Sequence, residues 1–231
     1  MSFLFEPQPA TAVPVDGTDL MFPVRRVYCV GRNYAAHARE MGKDPDKEPP
    51  FFFMKPGDAV VPDGAAIHYP PGTRNFHHEV ELVVALSSGG RRIPAERALE
   101  HVFGYAVGLD MTRRDLQFIA RDAGRPWDFG KSFDESAPLG RIYPASTSGH
   151  PSSGAITLHV NGVLRQSGDL GDLIWSVPET ISFLSDYYTL AAGDLIYTGT
   201  PAGVGPVEPG DELVARIEGL GELVARVMPP L

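Results

Sequence analysis

Three acidic side chains near two predicted strands form the first candidate for a chemical site. Glu79 and Glu81 lie in a stretch, Glu79–Leu86, whose content of β-branched residues predicts a strand. Because side chains alternate along a strand, both carboxylates should point to one face. Asp110 follows a second predicted strand, Tyr105–Leu109, and would complete a set of oxygen ligands that Mg²⁺ and Mn²⁺ prefer. On spacing alone, solvated acids on the outer faces of amphipathic strands explain the pattern equally well.

Two histidines raise the alternative of a zinc site. His77 and His78 directly precede the acidic pair, and zinc in proteins binds imidazole and carboxylate groups. The chain contains no HExxH spacing. Paired histidines before a strand are more often loop residues or hydrogen-bond partners of ligands. The sequence therefore favours Mg²⁺ or Mn²⁺ and keeps zinc as the weaker alternative.

A pair of residues suited to proton transfer lies on a predicted helix, 33–41. Asn33 would cap this helix and Gly42 would end it. His37 and Glu40 are three residues apart and are therefore neighbours on one face. Glu40 could orient the imidazole while His37 removes a proton from water. On spacing alone, an ordinary surface pair near a helix C-terminus is the better explanation.

A glycine-flanked lysine and a glycine-bearing loop are weaker signals. Lys131 lies in a segment, 124–132, with five residues between its first two glycines, whereas a phosphate-binding loop needs four. Lys131 could hold an anionic substrate, although a solvated lysine explains the residue better. The loop Thr198–Gly205 follows a predicted strand and either brings backbone amides close to a ligand or forms a plain tight turn. The absence of a Gly-x-Ser-x-Gly motif disfavours a serine triad.

The elements that must position these groups are short strands and a few helices. Asn161 and Gly162 supply the positive φ angles of a type I′ turn between two predicted strands. Ser176 would cap a helix that extends to about Tyr188, and a helix is predicted at 112–123. This pattern indicates an α+β fold rather than alternating βαβ units. A duplicated five-residue segment predicts a closing hairpin, with its copies at 212–216 and 222–226.

Length and composition indicate one domain and exclude several partners. The 231 residues are 43% hydrophobic, enough for one sizeable core. Residues 1–24 carry four prolines and predict an extended segment packed against a single domain, 25–231. A net charge of −9 disfavours nucleic acid and anionic membranes. The single cysteine, the absence of a signal peptide pattern and the absence of a long apolar run predict a cytoplasmic protein with no membrane partner.

Taken together, several segments resemble the fumarylacetoacetate hydrolase family, and the resemblance covers nearly the whole chain from about Val24 onward. None of the matched positions departs from the family pattern. Two further segments, Phe22–Arg26 and Glu48–Pro56, make the chain most similar to the bacterial branch that acts on fumarylpyruvate. The segments that carry the family resemblance, in chain order, are Val30–Tyr34 with His37 and Glu40, His78–Glu81, Leu109–Asp115, Gly130–Phe133 and Thr198–Pro201.

The resemblance implies a fold, a metal and a set of site residues. The fold would be a mixed β-sandwich roll with short flanking helices, usually a homodimer. Mg²⁺ or Mn²⁺ would bind Glu79, Glu81 and Asp110. The resemblance thus favours metal ligands over solvated surface acids at these three positions. The helix with His37 and Glu40 would be a lid over the substrate. The other residues implied to lie near the ligand are Lys131, Arg32, Arg114, Gln117 and Thr200.

The resemblance also implies an activity, the hydrolysis of a carbon–carbon bond in an acylpyruvate. The leading substrate is 3-fumarylpyruvate of gentisate-type aromatic degradation, which would give fumarate and pyruvate. His37, oriented by Glu40, would activate water, and Lys131 would stabilise developing negative charge. The alternatives are another acylpyruvase, an oxaloacetate decarboxylase, an isomerase of a related pathway, and a metal-stabilised binding protein without catalysis.

Overall fold

The structure of the chain is a computed structural model that describes residues 3–35 and 49–231. Within these ranges, no helix is long and apolar enough to cross a membrane. The α-helices are α1 (Arg114–Asp122), α2 (Asp128–Lys131), α3 (Ala145–Ser148) and α4 (Val177–Tyr187). Short 3₁₀-helices are η1 (Gly57–Ala59), η2 (Ala95–His101) and η3 (Leu170–Asp172). The strands are β1 (Ala12–Pro14), β2 (Met21–Pro23), β3 (Arg26–Val30), β4 (Phe52–Lys55), β5 (Val60–Pro62), β6 (Ala66–His68), β7 (Phe76–His78), β8 (Val80–Leu86), β9 (Val102–Leu109), β10 (Thr112–Arg113), β11 (Ala137–Leu139), β12 (Tyr143–Pro144), β13 (Ala155–Val160), β14 (Val163–Asp169), β15 (Asp194–Tyr197), β16 (Gly205–Pro206), β17 (Glu212–Ile217) and β18 (Glu222–Met228).

Two mixed sheets form the body of the described chain. The larger has the strand order β4-β3-β15-β8-β9-β11-β5, with β12 paired to β9, and the smaller has the order β14-β13-β17-β18-β6. A three-stranded sheet, β10-β7-β16, lies beside them. The predicted α+β roll of mixed sheets with short helices is confirmed.

Strand β8 is buried on both faces. Leu82 and Val84 face the core shared with the smaller sheet and α4, whereas Val83 and Ala85 face a second core layer. The alternative that the spacing left open, an amphipathic strand with solvated acids on its outer face, is therefore excluded. A strand between two apolar layers carries side chains of low polarity on both faces, so any carboxylate on it needs a partner.

The N-terminal segment supplies part of the second core layer. Strands β1 and β2 pair antiparallel, with Pro14 opposite Met21. Val13 and Phe22 are buried against the larger sheet. The proline-bearing segment at residues 12–23 is thus a short hairpin, which covers one face of β8 and its neighbours.

Local turn and capping signals agree with the structure in several places. Asn161 and Gly162 have φ values of 50° and 77°, which confirms the type I′ turn between β13 and β14. Ser176 and Glu179 form a capping box at the start of α4. The helix predicted at 112–123 begins later, at Arg114, because Thr112 and Arg113 pair with β7 instead.

The duplicated segment forms the predicted closing hairpin, β17 and β18. Because the copies are identical and antiparallel, each glutamate faces the arginine of the other copy. Glu212 lies 2.8 Å from Arg226, and Glu222 lies 2.9 Å from Arg216. Both pairs are exposed and therefore stabilise the hairpin only weakly.

Candidate metal centre and active site

Glu79, Glu81 and Asp110 come together at one buried point between two adjacent strands. Each offers a carboxylate oxygen, and these oxygens lie within 4.8 Å of one another. Strands β8 and β9 pair antiparallel with Val80 opposite Leu109, so Asp110 follows β9 where β8 begins. Glu79 lies in the one-residue break between β7 and β8, and its carbonyl accepts the N–H of Asp110 at 2.9 Å. The register of this pair therefore creates the cluster.

Lys131 is a cation that contacts two of these carboxylates. Its Nζ donates to Glu79 Oε2 at 2.9 Å, to Asp110 Oδ2 at 2.6 Å and to Thr112 Oγ1 at 2.7 Å. The side chain is buried, so the interpretation of Lys131 as a solvated surface lysine is wrong. Burial opposes its charge, but Asp110 and Glu79 outweigh that effect, and the pKa of Lys131 is raised. Lys131 stays an ammonium group at neutral pH.

A second buried lysine, Lys55 on β4, was given no role by the sequence. Its Nζ lies 2.8 Å from Asp110 Oδ1. It donates its hydrogen bonds to carbonyl oxygens, at 3.1 Å to Met111 and at 2.5 Å to Lys131. Asp110 Oδ1 is a buried oxygen whose contact with Lys55 is an ion pair, and no hydrogen bond of regular geometry reaches it within residues 3–35 and 49–231.

Arg114 is a second cation beside Glu79 and also holds a neighbouring amide. Its Nη2 forms a short ion pair with Glu79 Oε1, and its Nη1 donates to Gln117 Oε1 at 2.6 Å. Both residues are buried on α1. The structure therefore brings these two predicted substrate-binding residues to the edge of the carboxylate cluster.

The electrostatics of Glu81 indicate an acid that lacks a strong cation partner. Its Oε2 accepts the backbone N–H of Gly199 at 2.7 Å. Burial, followed by repulsion from Asp110 and Glu79, raises the pKa of Glu81 well above its ordinary value. A divalent cation would remove this repulsion, and a donor set made only of carboxylate oxygens fits a hard cation. The residues present therefore fit Mg²⁺ or Mn²⁺.

The two histidines do not join the carboxylate cluster. His77 contacts Asn75 at 2.7 Å and accepts from Arg114 Nε at 3.3 Å, while His78 contacts Gln166 at 2.9 Å. Burial, the largest cause, lowers the pKa of His77 to about 4 and also lowers that of His78. Both rings are neutral at pH 7 and are held by other polar groups. The structure gives no support to the zinc alternative.

An aromatic cleft lies beside the cluster. Its volume is about 580 Å³. Arg32 lines it, with its guanidinium 4.9 Å from the ring centre of Phe51. Phe53 lines the same cleft, and Lys131 Nζ lies 5.0 Å from the centre of that ring. The Phe53 ring therefore connects the cleft to the buried lysine.

The remaining predicted residues have separate outcomes. Thr200 is buried in the glycine-bearing loop, one residue after the Gly199 amide that contacts Glu81. The proton-transfer pair, His37 and Glu40, and most of the predicted helix 33–41 lie outside the described residues. Asn33, the predicted cap, accepts the Trp175 N–H at 2.6 Å and donates to the Thr198 carbonyl at 2.8 Å.

Sequence reasoning missed Lys55 and Gln166. Lys55 ends an apolar strand, and a charged residue in such a strand is a signal of a buried ion pair. Gln166 is the only fully buried residue of β14, whose other residues are partly or fully exposed. No pattern in the sequence separates it from the exposed polar residues around it.

Comparisons with known proteins agree with this geometry. The family model described as fumarylacetoacetate (FAA) hydrolase C-terminal matches residues 26–228. A fumarylpyruvate hydrolase of Ralstonia sp. is 49% identical over 191 residues, which cover 82% of this chain and 99% of that protein. A human mitochondrial oxaloacetate tautomerase is 44% identical over 206 residues, 89% of this chain and 93% of that protein.

A solved structure is similar over almost the full length. It is a fumarylpyruvate hydrolase from Pseudomonas aeruginosa in complex with Mn²⁺ and pyruvate. The two chains are 58% identical with a TM-score of 0.97, and the match covers 99% of this chain and 100% of the other.

Proposed function

Because the chain belongs to the fumarylacetoacetate hydrolase family, we propose that it is a metal-dependent hydrolase of acylpyruvates that converts 3-fumarylpyruvate and water to fumarate and pyruvate. The observation that carries this proposal is the buried cluster of Glu79, Glu81 and Asp110, faced by Lys131 and Arg114. The similarity to fumarylpyruvate hydrolases, one of them solved with Mn²⁺ and pyruvate, supports the choice of substrate.

Glu79, Glu81 and Asp110 would hold the cation. When bound, Mg²⁺ or Mn²⁺ would act as a Lewis acid on the 2-oxo acid end of the substrate. The three residues differ in their other contacts, since Glu79 also meets Arg114 and Glu81 also meets the Gly199 amide. These contacts hold the carboxylates of Glu79 and Glu81 in place before the substrate binds.

The cationic and polar residues around the cluster would bind the substrate. We assign Lys131 to the stabilisation of negative charge on the oxygen atoms of the departing pyruvate enolate. Arg114 and Gln117 would orient the substrate from α1, and Thr200 would do so from the opposite loop. Arg32, on the cleft, is suited to the far carboxylate of a fumaryl group.

Hydrolysis also needs an activated water. We assign this role to His37, oriented by Glu40, from their spacing in the sequence. His37 would take a proton as the water oxygen bonds to the carbonyl carbon remote from the pyruvyl end. The carbon–carbon bond then breaks, its electron pair leaves with the pyruvate enolate, and a proton converts that enolate to pyruvate.

Oxaloacetate is the substrate of the second candidate function. The support is the 44% identity to an oxaloacetate tautomerase. Tautomerisation moves a proton between carbon and oxygen, and decarboxylation releases carbon dioxide, so neither consumes water. Both use an enolate of a 2-oxo acid, whose negative charge Lys131 and a cation held by the cluster would stabilise.

A substrate panel with saturating Mg²⁺ tests these functions. We expect fumarylpyruvate to lose its absorbance and release one pyruvate per molecule, faster than maleylpyruvate or acetylpyruvate. Faster turnover of oxaloacetate than of every acylpyruvate would instead establish the second candidate. Removal of the metal by a chelator should stop each reaction.

The cellular setting is part of the same proposal. We propose a cytoplasmic homodimer that acts in gentisate-type degradation of aromatic compounds. Cleavage of an aromatic ring would leave a four-carbon unsaturated acyl group with a cis double bond on pyruvate, and isomerisation of that bond to trans would give the fumaryl group. Light scattering of the purified protein measures the subunit number directly.

A further inference from the structure

The side chain of Gln166 makes four hydrogen bonds close to the carboxylate cluster, and the proposed function gives this residue no role. Its Oε1 lies 3.0 Å from the Val80 backbone N and 2.9 Å from His78 Nδ1. Its Nε2 lies 2.7 Å from Thr200 Oγ1 and 2.9 Å from the Pro201 carbonyl oxygen. A primary amide can accept two hydrogen bonds and donate two. The amide of Gln166 therefore makes all four hydrogen bonds that it can, and the side chain is fully buried.

The orientation of this amide is fixed by its backbone partners. The Val80 N–H can only donate, and the Pro201 carbonyl can only accept, so the oxygen must face Val80 and the nitrogen must face Pro201. A flipped amide would place two donors against each other and two acceptors against each other. The usual ambiguity between amide oxygen and nitrogen is consequently absent here.

This orientation determines the role of the Thr200 hydroxyl. Because Gln166 Nε2 is a donor, Thr200 Oγ1 accepts from it. The single hydroxyl proton of Thr200 must then point away from Gln166. Thr200 follows Gly199, whose N–H meets Glu81 at 2.7 Å, so this proton lies on a loop that borders the carboxylate cluster.

We propose that Gln166 is a positioning residue that presents the Thr200 hydroxyl as a hydrogen-bond donor to the anionic 2-oxo acid end of the ligand. The proposal rests on the proposed function, which gives Thr200 its ligand. Val80 lies between Glu79 and Glu81, so the amide also ties the loop of Thr200 to the backbone that carries these acids. One side chain thereby sets the distance between a ligand donor and the metal ligands.

The test is a double-mutant cycle of Gln166→Met and Thr200→Val, read as the affinity for oxalate at saturating Mn²⁺. Each single variant should bind oxalate about tenfold more weakly, because each loses one hydrogen bond to a charged ligand. The double variant should be no more than about twofold weaker than Gln166→Met, since both changes remove the same interaction. A loss of about a hundredfold in the double variant would show independent effects and overturn the proposal.

Two further variants separate positioning from stability. Leu158 lies opposite Gln166 in the β13–β14 pairing and is buried. Leu158→Val should lower the melting temperature and leave oxalate affinity unchanged. Thr200→Ser keeps the hydroxyl. In the otherwise parental protein it should bind oxalate more tightly than Thr200→Val does. In the Gln166→Met background, Thr200→Ser and Thr200→Val should bind oxalate equally well. If Thr200→Ser binds oxalate more tightly than Thr200→Val with and without the Gln166→Met substitution, the proposal is also overturned.

The remaining measurements keep the two proposals distinguishable. If Gln166→Met does not fold, Gln166→Glu takes its place, because it keeps the size and the acceptor end of the amide. On fumarylpyruvate, Thr200→Val and Gln166→Met should raise KM more than they lower kcat. If the parent protein binds Mn²⁺ and oxalate without cleaving acylpyruvates, the proposed function fails while the oxalate cycle still decides the role of Gln166. Parental oxalate affinity in Gln166→Met refutes that role in either case.

Discussion

Replacing Lys131 by methionine should strengthen metal binding while it weakens both the fold and catalysis. The lysine bonds to Glu79 Oε2 and Asp110 Oδ2, and these residues are two of the three proposed metal ligands. A cation must compete with the ammonium group for these carboxylates. Each charge-assisted hydrogen bond contributes about 1.5–3 kcal/mol, and 1.36 kcal/mol corresponds to a factor of ten in affinity. We therefore expect Lys131→Met to bind Mn²⁺ at least about tenfold more tightly.

The same substitution has two opposite effects on stability. Without metal it removes the cation that Glu79 and Asp110 share, while Arg114 stays beside Glu79 and Lys55 beside Asp110. The loss of one member of a buried ion pair costs at most about 3–5 kcal/mol. With metal the loss is reduced, because a ligand that binds only the folded state stabilises it by RT ln(1 + [L]/Kd). The difference in melting temperature between metal-loaded and metal-free protein should thus be larger for the variant than for the parent. Catalysis should fall by about a hundredfold or more, since Lys131 stabilises developing charge.

Calorimetric titration with Mn²⁺ and thermal unfolding with and without Mn²⁺ measure these quantities. Arg216→Met is the matched control, because it removes an exposed ion pair with Glu222 and should change stability by less than about 1 kcal/mol. Equal or weaker Mn²⁺ binding by Lys131→Met would refute the idea that the ammonium group and the metal compete for the same carboxylates.

Four further predictions concern the acids and the proton-transfer pair. Asp110→Asn should abolish Mn²⁺ binding and all turnover, by calorimetry and pyruvate release, while circular dichroism stays near that of the parent; retained activity without metal would contradict the assignment. Because the pKa of Glu81 is raised, the metal-free folded state binds a proton more tightly than the unfolded state does. The free energy of unfolding should therefore fall as pH rises from about the ordinary carboxyl pKa of 4.5 through the raised value. Denaturant unfolding at a series of pH values should show this fall, and Glu81→Gln should flatten it. Mn²⁺ affinity should rise over the same pH range, because binding displaces that proton. His37→Ala should slow fumarylpyruvate cleavage by about 10²–10⁴-fold and spare oxaloacetate decarboxylation; parental cleavage rates in this variant would show that another group activates water.

Strand geometry suggested the grouping of the acids but did not decide it. Alternation put Glu79 and Glu81 on one face, solvated acids explained the spacing equally well, and the family resemblance favoured the grouping with Asp110. The structure places the three carboxylates within 4.8 Å of one another. The break between β7 and β8 at Glu79 was not predictable from composition, since it arises from pairing with β10 and β16, which are distant in sequence.

The polar partners of the acids depended on tertiary contacts. Lys55 and Gln166 come from strands 24 or more residues away from any of the three acids. No local pattern states which strands will neighbour each other, so neither role followed from spacing. Thr112 gave a misleading signal, because its helical surroundings favoured a helix while the edge of β7 offered a strand partner. Tertiary pairing overrode local propensity there.

The parallel pairing of β3 with β15 has a consequence for the order of folding. Asp194 lies opposite Arg26 in this pair, and its buried carboxylate accepts hydrogen bonds from both Arg25 and Arg26 at 3.0 Å. These partners are 168 or more residues apart, so the middle of the larger sheet stays open until most of the chain has left the ribosome. Pairings of such long range make folding slow and leave strand edges exposed in the meantime. Refolding should therefore be limited by closure of this pair, and a nascent chain that ends before residue 194 should depend on chaperones to stay unaggregated.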